Sequence, residues 1–329
     1  MTQPENSKIV ILGTGGTIAG TATQAGDNIG YRAAQLGVDQ LIRSVGTLSS
    51  VLGAGDLVTE QVAQVDSKDM SFPVWRDLAL RCDHWLADPA VKGIVITHGT
   101  DTLEETAWFL QSVLQPRKPV VLTCAMRPAT ALVPDGPQNM LDAVTVALDP
   151  GAAGVVAVCA GVVHSARDVR KDHPYRLDAF SSGDAGPLGY VEENAVRWLI
   201  NETKVSLPSV GWSSNAIRAI ASPMPWPRVE IVMNYAGAGG AVVDGLVRDG
   251  VQGLVAAGTG NGTLHSELEA ALIRAQAAGV RIVRATRCAQ GRVVPHSGDR
   301  FADSNGLSPV KARVTLMLAL LGAASAGSI

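Results

Sequence analysis

Short β-branched runs alternate with amphipathic stretches along most of this 329-residue chain. That alternation confines it to parallel strands joined by helical crossovers, because a fully buried strand and a half-buried helix each need the other to cover apolar surface. Residues 9–12, 57–65, 93–97, 120–123 and 154–158 read as strands. Residues 38–51, 72–87, 103–114 and 138–148 read as helices, the third opened by a capping box, Thr102 with Glu105. Residues 161–200 are less regular and leave room for short antiparallel pieces. Four prolines and paired serines over 207–228 read as a linker between domains. The alternation then resumes, with strands at 229–233, 253–256 and 280–284 and helices near 241–248, at 264–278 and from Pro309. The expected architecture is α/β in two domains. A larger N-terminal domain over 1–206 has a mostly parallel sheet flanked by helices, and a smaller α/β domain occupies 229–329.

Composition narrows the partners. With 27 Lys+Arg against 30 Asp+Glu the net charge is −3, which supplies no basic surface for nucleic acid or anionic lipid. Aromatic residues make up 4% while 47% of the chain is hydrophobic, so the core is built from aliphatic side chains and alanine. The apolar stretch 314–324 is too short to span a bilayer. Cys82, Cys124, Cys159 and Cys288 show neither a C-x-x-C pair nor zinc spacing and read as small hydrophobes. Together with a polar start, residues 1–8, which lacks the features of a secretory signal, these cysteines favour the cytoplasm.

In open parallel sheets, ligands gather beyond the carboxyl ends of the strands. Three polar clusters sit there: Gly13-Thr14-Gly15-Gly16-Thr17, Asp66-Ser67-Lys68-Asp69, and His98-Gly99-Thr100-Asp101-Thr102. The dinucleotide fingerprint fails, since Ile18 occupies its last glycine position. The phosphate loop, the G-x-S-x-G elbow and H-E-x-x-H are all absent. Residue pattern alone leaves catalysis, ligand binding and plain helix capping open.

Gly15-Gly16-Thr17-Ile18-Ala19 and His98-Gly99-Thr100-Asp101-Thr102-Leu103-Glu104-Glu105-Thr106 resemble the two signature motifs of the bacterial L-asparaginase and glutaminase-asparaginase family. Lesser matches follow in order: Ala125-Met126-Arg127-Pro128, Arg167-Asp168-Val169 with Lys171, Gly186-Pro187-Leu188-Gly189-Tyr190, Asn234-Tyr235-Ala236, Gly260-Asn261-Gly262 and Pro309-Val310-Lys311-Ala312-Arg313.

The resemblance implies amide hydrolysis through an acyl-threonine intermediate, with no metal or organic cofactor. It assigns the nucleophile to Thr17, assisted by Tyr31 on a loop over 20–36 that closes on substrate. A second group comprises Thr100, Asp101 and Lys171, in which a lysine in a dry site takes a proton from Thr100 or its water. Gly16, Asp66, Ser67, Lys68, Gly99, Thr100 and Asp101 are the implied substrate contacts. Asp101 suits the α-ammonium and Ser67 the α-carboxylate. The counterpart of Asn261 reaches a neighbouring subunit's site in the family, so a homodimer or homotetramer with a shared active site is expected. His98 is expected to pack or hydrogen-bond behind Gly99 rather than to transfer protons.

Two departures bear on substrate choice. Lys68 stands where many relatives carry glutamine, and such a cation alters affinity unless it turns to solvent or pairs with Asp66 or Asp69. Residues 291–300 are shorter than in the family and hold no match for a glutamate donated between subunits, with Asp299 or His296 as stand-ins. The resulting expectation is an L-asparagine amidohydrolase. A broad glutaminase-asparaginase, the amidase subunit of an amidotransferase, a non-catalytic amino-acid-binding protein and a dinucleotide oxidoreductase are the competing readings.

Overall fold

β1 (Lys8–Gly15) forms because four consecutive aliphatic residues, Ile9 to Leu12, are covered on both faces of the sheet. Each contributes about 1.5–3 kcal/mol relative to leaving it in water. The computed structural model describes residues 7–24, 26–46, 48–52, 55–200, 216–223 and 225–326. The chain divides into two units, 1–209 and 210–329. Of the stretch read as linker, 207–215 and 224 lie outside the described residues. Ala216–Ala221 is a short helix, α6.

In the first unit the elements run β1, α1 (Val38–Ser44), α2 (Leu48–Leu52), β2 (Asp56–Val65), α3 (Phe72–Ala87), β3 (Val91–Thr97), α4 (Leu103–Leu114), β4 (Val120–Thr123), α5 (Gly136–Leu148) and β5 (Val155–Cys159). They continue as β6 (Val162–Ser165), β7 (Arg170–Lys171), β8 (Phe180–Ser181), β9 (Gly189–Glu192) and β10 (Ala195–Trp198). The eight-stranded sheet has the order β10-β9-β6-β5-β4-β3-β1-β2. β1 to β5 are parallel, while β6, β9 and β10 extend the sheet antiparallel. Alternation across the sheet sorts the core. Ile9, Ile11, Val95, Val121 and Val156 pack with α1, α2 and α5. Val10, Leu12, Ile94 and Ile96 face the opposite side, where α3 and α4 contact β3 and β5. Trp75 of α3 stacks on Phe109 of α4 with ring centroids 4.9 Å apart and donates its indole N–H to Thr106.

Two local expectations are corrected. The single helix expected over 38–51 is broken into α1 and α2, because Val45 leaves the helical region at ψ 77° and Gly46 follows in a turn. At the start of α4 the Thr102 side chain does not cap the helix. Its hydroxyl donates instead to the Ser67 carbonyl at 2.8 Å, tying two strand-end loops together.

The second unit holds β11 (Val229–Met233), α7 (Ala241–Arg248), β12 (Gly253–Gly258), α8 (Ser266–Ala277), β13 (Arg281–Thr286), β14 (Ala302–Asp303) and α9 (Pro309–Ala326). Its four-stranded sheet is parallel throughout, in the order β11-β12-β13-β14. The apolar 314–324 stretch lies within α9, where Val314, Met317 and Leu321 are buried. Among the described residues no helix is long and apolar enough to cross a membrane.

Candidate active site

In the order β2-β1-β3-β4-β5, connections leave β1 toward one edge of the sheet and β3 toward the other. The switch point between β1 and β3 is where an open α/β sheet leaves a crevice for ligand. Thr17 follows β1, and Thr100 and Asp101 follow β3. Ser67 follows β2, the neighbour on the other side of β1.

Close backbone approach joins these loops. Gly16 adopts φ 82° and ψ −173°, a conformation that essentially only glycine takes up. Its amide donates to the Val65 carbonyl at 3.0 Å, which fixes it against the end of β2. A Cβ added to Gly99 would meet Ser67 Oγ at 2.4 Å, so glycine is required there by contact rather than by φ. Behind them Thr14 donates to the Thr97 carbonyl at 2.8 Å.

Two hydroxyl-centred groups result. Thr17 Oγ1 lies 2.7 Å from Tyr31 Oη, and Thr17 is buried. Tyr31 is brought there by a loop whose flanks pair as an isolated bridge between Thr21 and Arg32. The base of that loop is held by Ala34 N–H to the Gly16 carbonyl and by Gln64 Nε2 to the Ala34 carbonyl. The second group is centred on Lys171, whose Nζ donates to Thr100 Oγ1 at 2.8 Å and to Asp101 Oδ1 at 2.6 Å. The β7–β8 ribbon sets Lys171 opposite Phe180. Because strand side chains alternate, Arg170 takes the other side. Lys171 is largely covered, whereas Asp101 is about half exposed and open to a second cation.

Ser67 Oγ accepts the Asp101 amide at 3.1 Å, which leaves its own O–H available to donate. Lys68, by contrast, reaches away from the crevice. Its ammonium binds Asp66 at 2.7 Å and Asp69 at 3.1 Å, and its side chain is 61% exposed. The hydrogen bonds it donates to Asp66 and then to Asp69 push its pKa up. His98 is fully buried with Nδ1 2.7 Å from the Gly99 carbonyl, and burial pushes its pKa down to about 4. It is therefore neutral at pH 7 and supports the Gly99 turn.

Asn261 belongs to the second unit, where its side chain bonds both ways to Val294, donating to the carbonyl at 3.0 Å and accepting the amide at 2.6 Å. Asp299 accepts the His296 amide and pairs with Arg284, and both interactions hold its pKa down. Among the described residues no three His, Cys, Asp or Glu side chains gather as a metal site would require. A cavity of about 400 Å³ lies alongside, lined by residues that include Ile18, Leu36, Leu41, Arg127 and Met140. Its lining holds no carboxylate and no lysine, and none of Thr17, Ser67, Thr100, Asp101 or Lys171 lines it.

Sequence reasoning did not single out Thr130, which accepts the Ala22 amide at 2.9 Å beside the bond from the Ala129 amide to the Gly20 carbonyl. Nor did it mark Gln64. Both hold the Tyr31 loop, and their only signal is contact between segments distant in sequence.

Two threonine hydroxyls meet at the sheet switch point, one beside a tyrosine and one beside a lysine–aspartate pair, residue types that nucleophilic catalysis draws on. Comparison with known proteins gives the chain a lineage. A family profile described as "Asparaginase, N-terminal" matches residues 8–204, and one described as "Glutaminase/Asparaginase C-terminal domain" matches 228–327. The chain belongs to the bacterial asparaginase family of enzymes. It is 37% identical to L-asparaginase 2 of Bacillus subtilis (strain 168), covering 95% of this chain and 82% of the relative. With the glutaminase-asparaginase of Pseudomonas fluorescens biotype A it shares 35% identity, over 97% and 88% of the two chains. The crystal structure of a probable cytoplasmic L-asparaginase from Campylobacter jejuni superposes with a TM-score of 0.86 at 37% identity, covering 95% of both chains.

Proposed function

We propose that this chain hydrolyses the side-chain amide of L-asparagine to L-aspartate and ammonia, with Thr17 as nucleophile. The observation that carries the reading is the pair of hydroxyl groups at the β1/β3 switch point, Thr17 beside Tyr31 and Thr100 beside Lys171. In the first half-reaction the Thr17 oxygen attacks the amide carbon as its proton passes toward Tyr31. The C–N bond then breaks and ammonia leaves with a proton. In the second, water held at Thr100 and Lys171 attacks the acyl-threonine ester, and aspartate departs with the Thr17 hydroxyl restored. The half-exposed Asp101 carboxylate suits the α-ammonium of the substrate, and the Ser67 hydroxyl suits its α-carboxylate.

The test is ammonia release from L-asparagine and from L-glutamine by the intact protein. Release from asparagine with a lower kcat/KM for glutamine supports the reading. Equal kcat/KM for the two amides favours the broad glutaminase-asparaginase instead, and no release from either favours a binding protein. The reading includes an assembly of at least two copies that share Asn261 between them. That part is supported by the family resemblance alone, and a monomer by light scattering removes it.

A further inference from the structure

Cys124 and Cys159 are 35 residues apart in sequence, yet their sulfur atoms lie 3.2 Å apart in the interior. β4 and β5 run parallel with Thr123 opposite Val158, and Cys124, just past the end of β4, and Cys159, the last residue of β5, each follow one of that pair. Neighbouring strands are about 4.8 Å apart. That spacing falls within the roughly 4.4–6.8 Å between Cα atoms that a disulfide spans. Asn139 already fixes the two backbones, donating to the Cys124 carbonyl at 2.9 Å and accepting the Ala160 amide at 3.0 Å. Closing the sulfurs to bonding distance therefore needs side-chain rotation and little backbone movement. Among the described residues neither Cys82 nor Cys288 has a sulfur neighbour of this kind.

We propose that Cys124 and Cys159 form a structural disulfide when the chain folds in contact with a low-molecular-weight disulfide, and remain a thiol pair when it folds under reducing conditions. One cysteine thiolate attacks the small disulfide and expels one thiolate. The second cysteine thiolate then attacks the resulting mixed disulfide and expels the other. The protein sulfurs lose two electrons, the small disulfide gains them, and the two thiol protons pass to the two leaving groups. Exchange belongs to the folding chain. Once folded, the hydrogen bond to Cys159 and burial hold the Cys124 thiol well above its ordinary range, so its sulfur is not a ready nucleophile.

The full chain carrying Cys288→Ser, which removes the exposed thiol, is unfolded in reductant. It is then refolded either with a mixture of reduced and oxidised glutathione or with a phosphine reductant. Thiols are counted after denaturation and peptides are mapped by mass. The expected oxidised product keeps one free thiol, Cys82. It carries a peptide joining Cys124 to Cys159, lighter by two hydrogen atoms, and melts several degrees above the reduced form. Adding Cys124→Ser must abolish the cross-link. Three free thiols after oxidative refolding, or a bond that includes Cys82, overturns the proposal. Should refolding yield no native protein, the same count on material produced in oxidising and in reducing host cytosol decides between the same outcomes. Ammonia release does not enter the readout, so the result stands apart from the hydrolase reading.

Discussion

A Cβ placed on Gly16 would stand 2.4 Å from the Cα of Gly99, so the loops after β1 and β3 meet backbone to backbone. This contact sets Thr17 on one side of the crevice floor and Thr100 on the other. Gly16→Ala forces the loops apart, and its backbone is already in a glycine-only region. It is expected to lose about 1–3 kcal/mol of stability. Its kcat/KM for asparagine should fall further than the lower Tm explains. Wild-type Tm and kcat/KM in this variant would contradict the close approach.

Tyr31→Phe keeps the ring that packs beside Gly20 and removes only the hydroxyl facing Thr17. The expected result is a fall in kcat of about 10²–10⁴-fold, the range of a lost general acid–base partner. Tm should fall by no more than about 2–4 °C, since one part-buried hydrogen bond is worth roughly 1 kcal/mol or less. Steady-state kinetics with a melting curve checks both numbers. An unchanged kcat removes Tyr31 from the proton path.

Lys68 offers a test with the opposite expectation. Its ammonium is held by Asp66 and Asp69 at the surface, so it presents no cation to the substrate. Lys68→Gln is expected to shift the asparagine-to-glutamine ratio of kcat/KM by less than about twofold, since exposed pairs contribute little. A tenfold shift would mean that the side chain turns inward when substrate binds.

These contrasts mark how far the chain could be read before its fold was known. The strand ends were legible because apolar runs stop at Gly-Thr, Asp-Ser and His-Gly-Thr. Thr17, Ser67 and Thr100 therefore follow from position in an open parallel sheet. The register that brings Lys171, and not Arg170, to Thr100 came only from family resemblance, because a charged stretch carries no local signal of which residue faces inward. The Thr102 bond to Ser67, the Lys68 pairing and the Asn261 bonds to Val294 are choices among polar partners, made by loops that meet only after the sheet closes. Periodicity records burial, not partnership. The break in the helix expected over 38–51 was written in Gly46, but a single glycine is tolerated in many helices.

His98 gives a pH signature. Its pKa falls from an ordinary 6.5 to about 4 on folding, so below pH 6.5 the unfolded chain binds a proton that the folded chain refuses. Its contribution is thus complete above pH 6.5, diminishes as pH falls toward 4, and levels off below. The loss across that window is of order 3 kcal/mol. Denaturant titrations of the wild type and His98→Asn at several pH values check it. The variant is expected to show a shallower decline between pH 6.5 and 4. Parallel curves would show that His98 titrates normally.

The assignment of the nucleophile is tested most directly by ammonia release from L-asparagine under saturating substrate, comparing the wild type with Thr17→Ala. A matched melting curve verifies that the variant is folded. The expected result is ammonia and aspartate in equal amounts from the wild type, and a kcat at least about 10³-fold lower in Thr17→Ala. A folded Thr17→Ala that releases ammonia at the wild-type rate would contradict it.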